Sequence, residues 1–350
     1  MDTRDTPEQA ELRRSARQVA RELGPATVAD LDDGTRAKRL AVAVGEAGWL
    51  ELRDDDVDGA PVASGVEAAI VADALGGAVA DVAFTGPVLA ADLARRAGVD
   101  PAAAAVVGFS PSLVEPGIVS GAETMTSLVA VDGAGHDGAV YALAPDGAGH
   151  RLVGVPIEGQ PAESDGGSDL TRLLRVIPAG APVRAVAGPA RVLTADDLAA
   201  WTALGLALTS ADLVGVMRGV LDVTVAYARE RRQFGAPVGS FQAVQHLLAE
   251  ARCLMDGSFS VALHASWAVD ALEPEEALAA GRVAKAYCAR AAKTVCEAAI
   301  QVHGGIGNTW ECLAHVYLRR GLLSTQWFGD DGRQLRELGR ERLGVGDGLP

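Results

Sequence analysis

The stretch TADDLAAWTALGLALTSADLVGVMRGVLDVTVAYARERR, residues 194–232, decides the fold. Thr194 stands three residues ahead of Asp197, the spacing of a capping box, so a helix starts there. Nothing breaks the pattern before about Arg232. A second helix starts after Pro237 and runs to about Leu272. A third begins at Pro274, a good first helical residue, and ends at Gly304-Gly305. In the third, Val283, Tyr287, Ala291, Val295, Ala298 and Val302 recur at steps of three or four, which predicts one apolar stripe. A fourth helix is expected over 309–324, and a weaker one after Asp330. Four long helices in sequence predict an antiparallel bundle.

Upstream of this block the texture changes. AVVGF, TSLVAV, GAVYALA, HRLVGV, RVIPA and VRAVA are short apolar runs between about residues 105 and 187. They are divided by Asp132-Gly133, Asp137-Gly138, Asp146-Gly147 and Asp165-Gly166-Gly167. Short runs at such spacing with Asp-Gly turns predict antiparallel β structure. Residues 1 to about 105 return to helical patterns: Glu8–Leu23, 34–50 with a stop at Gly48, Gly65–Gly76 and Pro87–Gly98. Their alanine content predicts close helix–helix packing. The expected organisation is a helical domain over 1–104, a reduced β domain over 105–193 and a helical bundle over 194–350. There is no internal repeat and no low-complexity tract.

The charge balance narrows the partners. Lys and Arg number 31 against 46 Asp and Glu, a net charge of −15. That argues against a nucleic-acid backbone or an anionic membrane surface as main partner. A local basic site remains compatible with an acidic whole. The four cysteines, Cys253, Cys288, Cys296 and Cys312, form no CxxC pair and read as reduced thiols. The N-terminus, MDTRDTPEQAELRR, has no apolar region of the kind a signal peptide carries. No charge-free apolar run of about 18 residues occurs, so no membrane span is expected. A cytoplasmic location is the expectation, with no metal site.

Two clusters carry chemistry. The first is Tyr227-Ala-Arg-Glu-Arg-Arg-Gln-Phe-Gly235, followed by Pro237-Val-Gly-Ser-Phe-Gln242. Arginines at a helix C-terminus complement its dipole. Yet Arg231, Gln233 and Phe234 beside a glycine turn also suit an anion, an amide and an aromatic base. The second is Gln301-Val-His-Gly-Gly-Ile-Gly-Asn-Thr309. Three glycines in four residues exceed the need of a helix stop, and bare backbone lets a ligand approach closely. It is neither a Walker A loop nor a Rossmann fingerprint, since no Gly-Lys-Ser/Thr follows and a helix precedes it. His303 reads either as a structural hydrogen-bonder or as a base.

Arg231-Arg-Gln-Phe-Gly235, the pair Phe241-Gln242 and Gln301-x-x-Gly-Gly-x-Gly307 together resemble the C-terminal signature of the acyl-CoA dehydrogenase family. GEAGWLEL and ADALGGAVADVAFTGPVLAADLA resemble its N-terminal helices, and the resemblance runs through essentially the whole chain in order. It implies an α+β, mainly α fold: helical N-domain, small antiparallel β middle domain, C-terminal four-helix bundle. It implies FAD as cofactor and α,β-dehydrogenation of an acyl-CoA thioester. In this family the two motifs hold the adenosine pyrophosphate half of an FAD seated in a neighbouring subunit. Arg231, Gln233, Phe234 and Gln242, with Gln301, Gly304, Gly305 and Gly307, are therefore the expected cofactor residues.

The chain also departs from the family pattern. The usual Thr-Glu-Pro…Gly-Ser-Asp stretch that cradles the flavin ring survives only as Glu115-Pro116-Gly117, and a second cradle stretch is missing. The usual late glutamate is replaced by Phe328 or Gly329, and the alternative position on the first bundle helix is Gly205. Asp212 and Asp330 remain as candidate bases. Burial of Asp212 would raise its pKa as a base requires, although a pair with an arginine such as Arg218 explains it too. The resemblance thus implies one subunit of a heteromer with a longer acyl-CoA dehydrogenase chain, as in steroid side-chain enzymes of this family. The alternatives are a homo-oligomer with a displaced base and a non-catalytic flavin- or acyl-CoA-binding scaffold.

Overall fold

The computed structural model describes residues 1, 3–102, 104–120, 124–132, 138–156 and 168–344. The turn residues Gly133, Asp137, Asp165, Gly166 and Gly167 lie outside them. Four helices come first: α1 (Pro7–Leu23), α2 (Gly34–Glu46), α3 (Gly65–Gly77) and α4 (Thr85–Ala97). Three begin on a local signal; α4 is capped from a distance instead, Gly86 N donating to Asp132 Oδ2 at 3.1 Å. Thr6 and Ser64 form capping boxes with Gln9 and Glu67, and Asp33 caps α2. Gly98, at φ +70°, terminates α4 in the left-handed conformation that glycine adopts without strain.

Among the described residues the strands are β1 (Val106–Phe109), β2 (Val119–Ser120), β3 (Thr124–Met125), β4 (Leu128–Val131), β5 (Ala139–Asp146), β6 (Gly149–Pro156), β7 (Leu174–Ile177), β8 (Arg184–Ala185), β9 (Arg232–Gln233) and β10 (Ala236–Pro237). Six of them form one sheet in the order β7-β4-β1-β5-β6-β8. The sheet is mixed rather than wholly antiparallel: β1 pairs with β5 in parallel, Val106 opposite Val140. The reason is that the chain leaves β1 for β4 before β5 returns to the free side of β1. The Asp146-Gly147 turn closes β5 onto β6 with Asp146 opposite Gly149.

The remaining helices are α5 (Ala195–Glu230), α6 (Gln242–Ala271), α7 (Pro274–His303), α8 (Ala314–Gln326) and α9 (Asp331–Leu343). The Thr194–Asp197 capping box starts α5, with Asp197 N donating to Thr194 Oγ1 at 3.2 Å. An 18-residue window of α5 is long and apolar enough to cross a membrane. That window is 94% buried by its neighbours, which makes α5 a core helix. It crosses α3 with backbones nearly touching. A Cβ built on Gly76 or Gly215 would fall closer than 3.0 Å to the backbone of the facing helix, at Asp212 and Asp73. The close packing expected from small residues is thus most pronounced at glycines.

One stripe differs from expectation. Val283 and Tyr287 of α7 are exposed, whereas Gly281, Ala284, Lys285, Cys288, Ala292, Val295 and Cys296 face inward. The face of α7 that meets α5 and α6 is built largely from small side chains, so the expected stripe holds in part: Ala291 and Val295 are buried in it, while Val283 and Tyr287 lie outside it.

Candidate functional site

The first candidate region lies where α5 ends. Arg231 caps the helix, its N–H donating to Tyr227 O at 2.8 Å. The chain then reverses through the β9–β10 hairpin, with Gln233 opposite Ala236. Phe234 and Gly235 form the two-residue turn, both at positive φ, +53° and +80°. That is the geometry of a type I′ turn, which favours Asn-Gly and rarely accommodates phenylalanine. Phe234 is also 96% exposed, with only Phe241 nearby at 6.3 Å between centroids. A large apolar ring held in a strained turn and left in solvent is costly unless it has work to do. Arg231, Gln233 and Gln242 are exposed beside it.

The second region ends α7. Gly304 sits at φ +66° and a Cβ there, or on Gly305, would meet nothing within 4 Å. Both expose bare backbone to solvent. Gly307 is buried instead, against His303 and Ile300, so its role is packing. The two regions approach one another through Tyr227 and His303, whose rings lie 4.3 Å apart. No hydrogen bond or ion pair among the described residues joins Arg231, Gln233 or Phe234 to Gln301, Gly304 or Gly305. His303 is buried, with Cys312 Sγ 3.6 Å from its Nδ1, and burial lowers its pKa. This places His303 as a packed neutral ring rather than a base open to solvent. The exposed groups present a guanidinium, the three amides of Gln233, Gln242 and Gln301, and open glycine backbone, which fit a pyrophosphate and an adenine.

The third region is internal. Phe328 follows α8 at φ +66°, buried. Its N–H donates to Leu113 O at 2.8 Å and its carbonyl accepts from Gln334 Nε2 at 2.6 Å. Its ring lies directly over Gly205 of α5. A Cβ on Gly205 would fall closer than 3.0 Å to three carbons of that ring. Phe109, Trp201 and Trp327 complete the cluster, with centroids 5.1, 5.5 and 6.1 Å from Phe328. Sequence reading found Gly205 and Phe328 but not that one fills the space over the other.

Asp212 is not placed as a base. It is buried and accepts from Arg320 Nε at 3.0 Å, Arg320 Nη2 at 2.8 Å and Ser324 Oγ at 2.7 Å, with Arg172 Nη2 at 2.9 Å. Burial opposes its ionisation, but the Arg172 and Arg320 guanidiniums prevail and hold its pKa below the usual value. The expected rise is therefore corrected to a fall. The expected partner is corrected too, because Arg218 pairs with Asp73. Asp330 caps α9, its Oδ1 accepting from Arg333 N at 2.8 Å. Beside this network Lys285 is fully buried and donates to the carbonyls of Ser324 and Trp327. Arg172, Arg320 and Lys285 had no mark in the motifs; a lysine flanked by alanines, Ala284 and Ala286, on the inward face of α7 was the available signal. Among the described residues no three His, Cys, Asp or Glu side chains are grouped to hold a metal ion.

Comparison with known proteins places this geometry. Residues 203–343 match the family model described as acyl-CoA dehydrogenase, C-terminal domain. The chain is similar to acyl-CoA dehydrogenase FadE27 of Mycobacterium tuberculosis, 31% identical over 257 residues, which cover 64% of this chain and 68% of that protein. The chain belongs to the acyl-CoA dehydrogenase family. It is also similar to acyl-CoA dehydrogenase FadE34 of the same organism, 41% identical over 157 residues. That match takes in 43% of this chain but spans only 21% of the length of FadE34. The fold is that of a chain of the ChsE4–ChsE5 complex from M. tuberculosis, with a TM-score of 0.75, 21% identity and coverage of 100% of this chain and 100% of that one. Acyl-CoA dehydrogenases are FAD-dependent oxidoreductases. The expected fold class stands, with the one parallel strand pair as its amendment.

Proposed function

We propose that this chain is a subunit of an FAD-dependent acyl-CoA dehydrogenase that lends the ADP-binding half of a flavin site to a partner chain. The partner, a longer member of the family, would hold the flavin ring, the base and the acyl-CoA thioester. The observation that carries this reading is Phe328 packed on Gly205. The two positions at which the family keeps its carboxylate hold Phe328 or Gly329, and Gly205 beneath the Phe328 ring. A carboxylate has no room there, and an acyl-CoA α-proton does not leave without a base within about 3 Å. FAD held by such a pair of chains would supply the acceptor for the β-hydride. Arg231, Gln233, Phe234, Gln242, Gln301, Gly304 and Gly305 are our proposed contacts to its pyrophosphate and adenine.

Two further points support the heteromeric form. Phe234 has no apolar cover of its own, as a residue reaching a neighbour would not. The ChsE4–ChsE5 complex is a two-chain assembly with the same fold as this chain. The division into 1–104, 105–193 and 194–350, and the cytoplasmic location, belong to the same proposal. A homo-oligomer with Asp212 or Asp330 as base is the rival. The four donors on Asp212 and the capping role of Asp330 count against it. Purified chain, supplied with FAD, an electron acceptor and short, long and steroidal acyl-CoAs, should give no turnover. Activity should emerge on co-expression with a longer family chain. Turnover by the chain alone, abolished by Asp330→Asn, would overturn the proposal.

A further inference from the structure

Four arginines meet in one cleft of an otherwise acidic protein. Arg13 and Arg17 of α1, Arg218 of α5 and Arg252 of α6 line a cavity of about 340 Å³. Beneath it Asp73 of α3 is buried. Its carboxylate takes Arg13 Nη1 at 3.6 Å, Arg17 Nη2 at 3.4 Å and Arg218 Nη1. Arg13 also binds Asp5 through two hydrogen bonds of 2.8 and 2.9 Å. Arg252 binds Asp256 at 2.9 and 3.0 Å. Pairing one to one, Arg13 goes to Asp5, Arg218 to Asp73 and Arg252 to Asp256. Asp222, which lines the adjoining cavity with Arg17 and Arg218 and acts on Arg252, is a further carboxylate at its edge; inside the cleft Arg17 shares Asp73, a carboxylate already taken.

Like charges at this separation repel, and their repulsion grows as water is removed. Arg17 is accordingly easier to deprotonate than usual, first through burial and then through Arg218. We propose that this cleft binds a phosphate-type oxyanion between Arg17 and Arg218. Guanidiniums reaching in from three helices suit a tetrahedral anion, which offers oxygens in several directions. A planar carboxylate satisfies one fork. Phe259, with Arg13 stacked 6.0 Å from its ring centre, supplies an apolar wall for whatever the phosphate is attached to. The cleft is separate from the cofactor motifs, since Arg231 lies thirteen residues further along from Arg218, about 20 Å at helical rise.

Calorimetric titration of the full chain with inorganic phosphate, at an ionic strength fixed with chloride, tests the proposal. The wild type should bind at one site, and Arg17→Gln should weaken it roughly tenfold or more. Arg17→Gln leaves Asp73 with Arg218 and Arg13, so the fold is retained. Arg252→Gln, at an exposed position, is the second variant and should weaken binding to a lesser degree. Arg184→Gln, an exposed arginine of β8 outside both sites, should leave this binding unchanged, which separates the cleft from surface charge at large. Binding that is absent, that is equal in Arg17→Gln, that is lost in Arg184→Gln, or that is matched by citrate but not by phosphate would overturn it.

Discussion

Arg172 Nη2 lies 2.9 Å from Asp212 Oδ1, so a residue ahead of β7 is ion-paired with the middle of α5. The same guanidinium donates to Ser324 Oγ at 2.6 Å on α8. One buried cation therefore ties the sheet to two helices of the bundle. Removing the carboxylate leaves Arg320 buried without its counter-ion and Arg172 with only the more distant Asp132, at 3.6 Å. Asp212→Asn is expected to lower stability by about 3–5 kcal/mol, read from urea denaturation followed by circular dichroism. A loss below about 1 kcal/mol would show that the network is not holding the two layers together.

Phe328 and Gly205 should behave as a coupled pair. Phe328→Ala empties the aromatic cluster and should cost about 3–5 kcal/mol. Gly205→Ala alone drives a methyl into the ring and should cost about 1–3 kcal/mol. In the double variant the methyl occupies space the ring has left, so the two costs should not add. A double-mutant cycle with additive losses would show that the ring and the glycine are not in contact.

The cofactor role of Arg231 is open to a direct measurement. Arg231→Ala should weaken FAD retention in the assembled oligomer by roughly 10- to 150-fold, the worth of a charge-assisted hydrogen bond. Flavin content after gel filtration reads this out. Unchanged content would remove Arg231 from the site.

Phe234 makes the opposite kind of prediction. Its turn is better served by asparagine, which tolerates positive φ. Phe234→Asn should leave the isolated chain as stable or more stable by up to about 1 kcal/mol, while FAD retention in the oligomer falls. Loss of stability in the isolated chain would show that the ring is packed within its own subunit.

Lys285 gives the chain a pH dependence. Burial pushes its pKa down to about 7, against the pull of Cys288 and Asp212. Between pH 7 and about 10 the unfolded chain then holds a proton that the folded chain has released. By linkage, stability rises with pH through that window. Lys285→Met should be flatter across it in denaturation midpoints taken from pH 6.5 to 9. An identical slope in the variant would assign the effect elsewhere.

The helices were legible because their ends are written locally. Thr194 and Asp197, Pro274, Gly48 and Gly98 each mark a boundary through their own backbone preferences. The parallel pairing of β1 with β5 was not, since it depends on which strand reaches a shared edge. The partner of Asp212 was half legible. Arg218 lies six residues on, on the far side of a helix in which only positions three and four apart face one another. That excludes Arg218, yet nothing local points to Arg172, 40 residues earlier, or to Arg320 on α8. Gly205 and Phe328 were each visible as departures from a family pattern. That one is the seat of the other is a fact of three-dimensional packing, with no trace in the spacing of 123 residues between them.

The glycine crossing of α3 and α5 bears on how this chain can change. Every codon change that replaces glycine adds at least one carbon, and at Gly76 and Gly215 that carbon would land on peptide backbone, which has no rotamer to yield. The alanines around them can be exchanged for serine or glycine at modest cost. The crossing is thus a fixed hinge pin in sequence space, about which the rest of the two helices is free to drift.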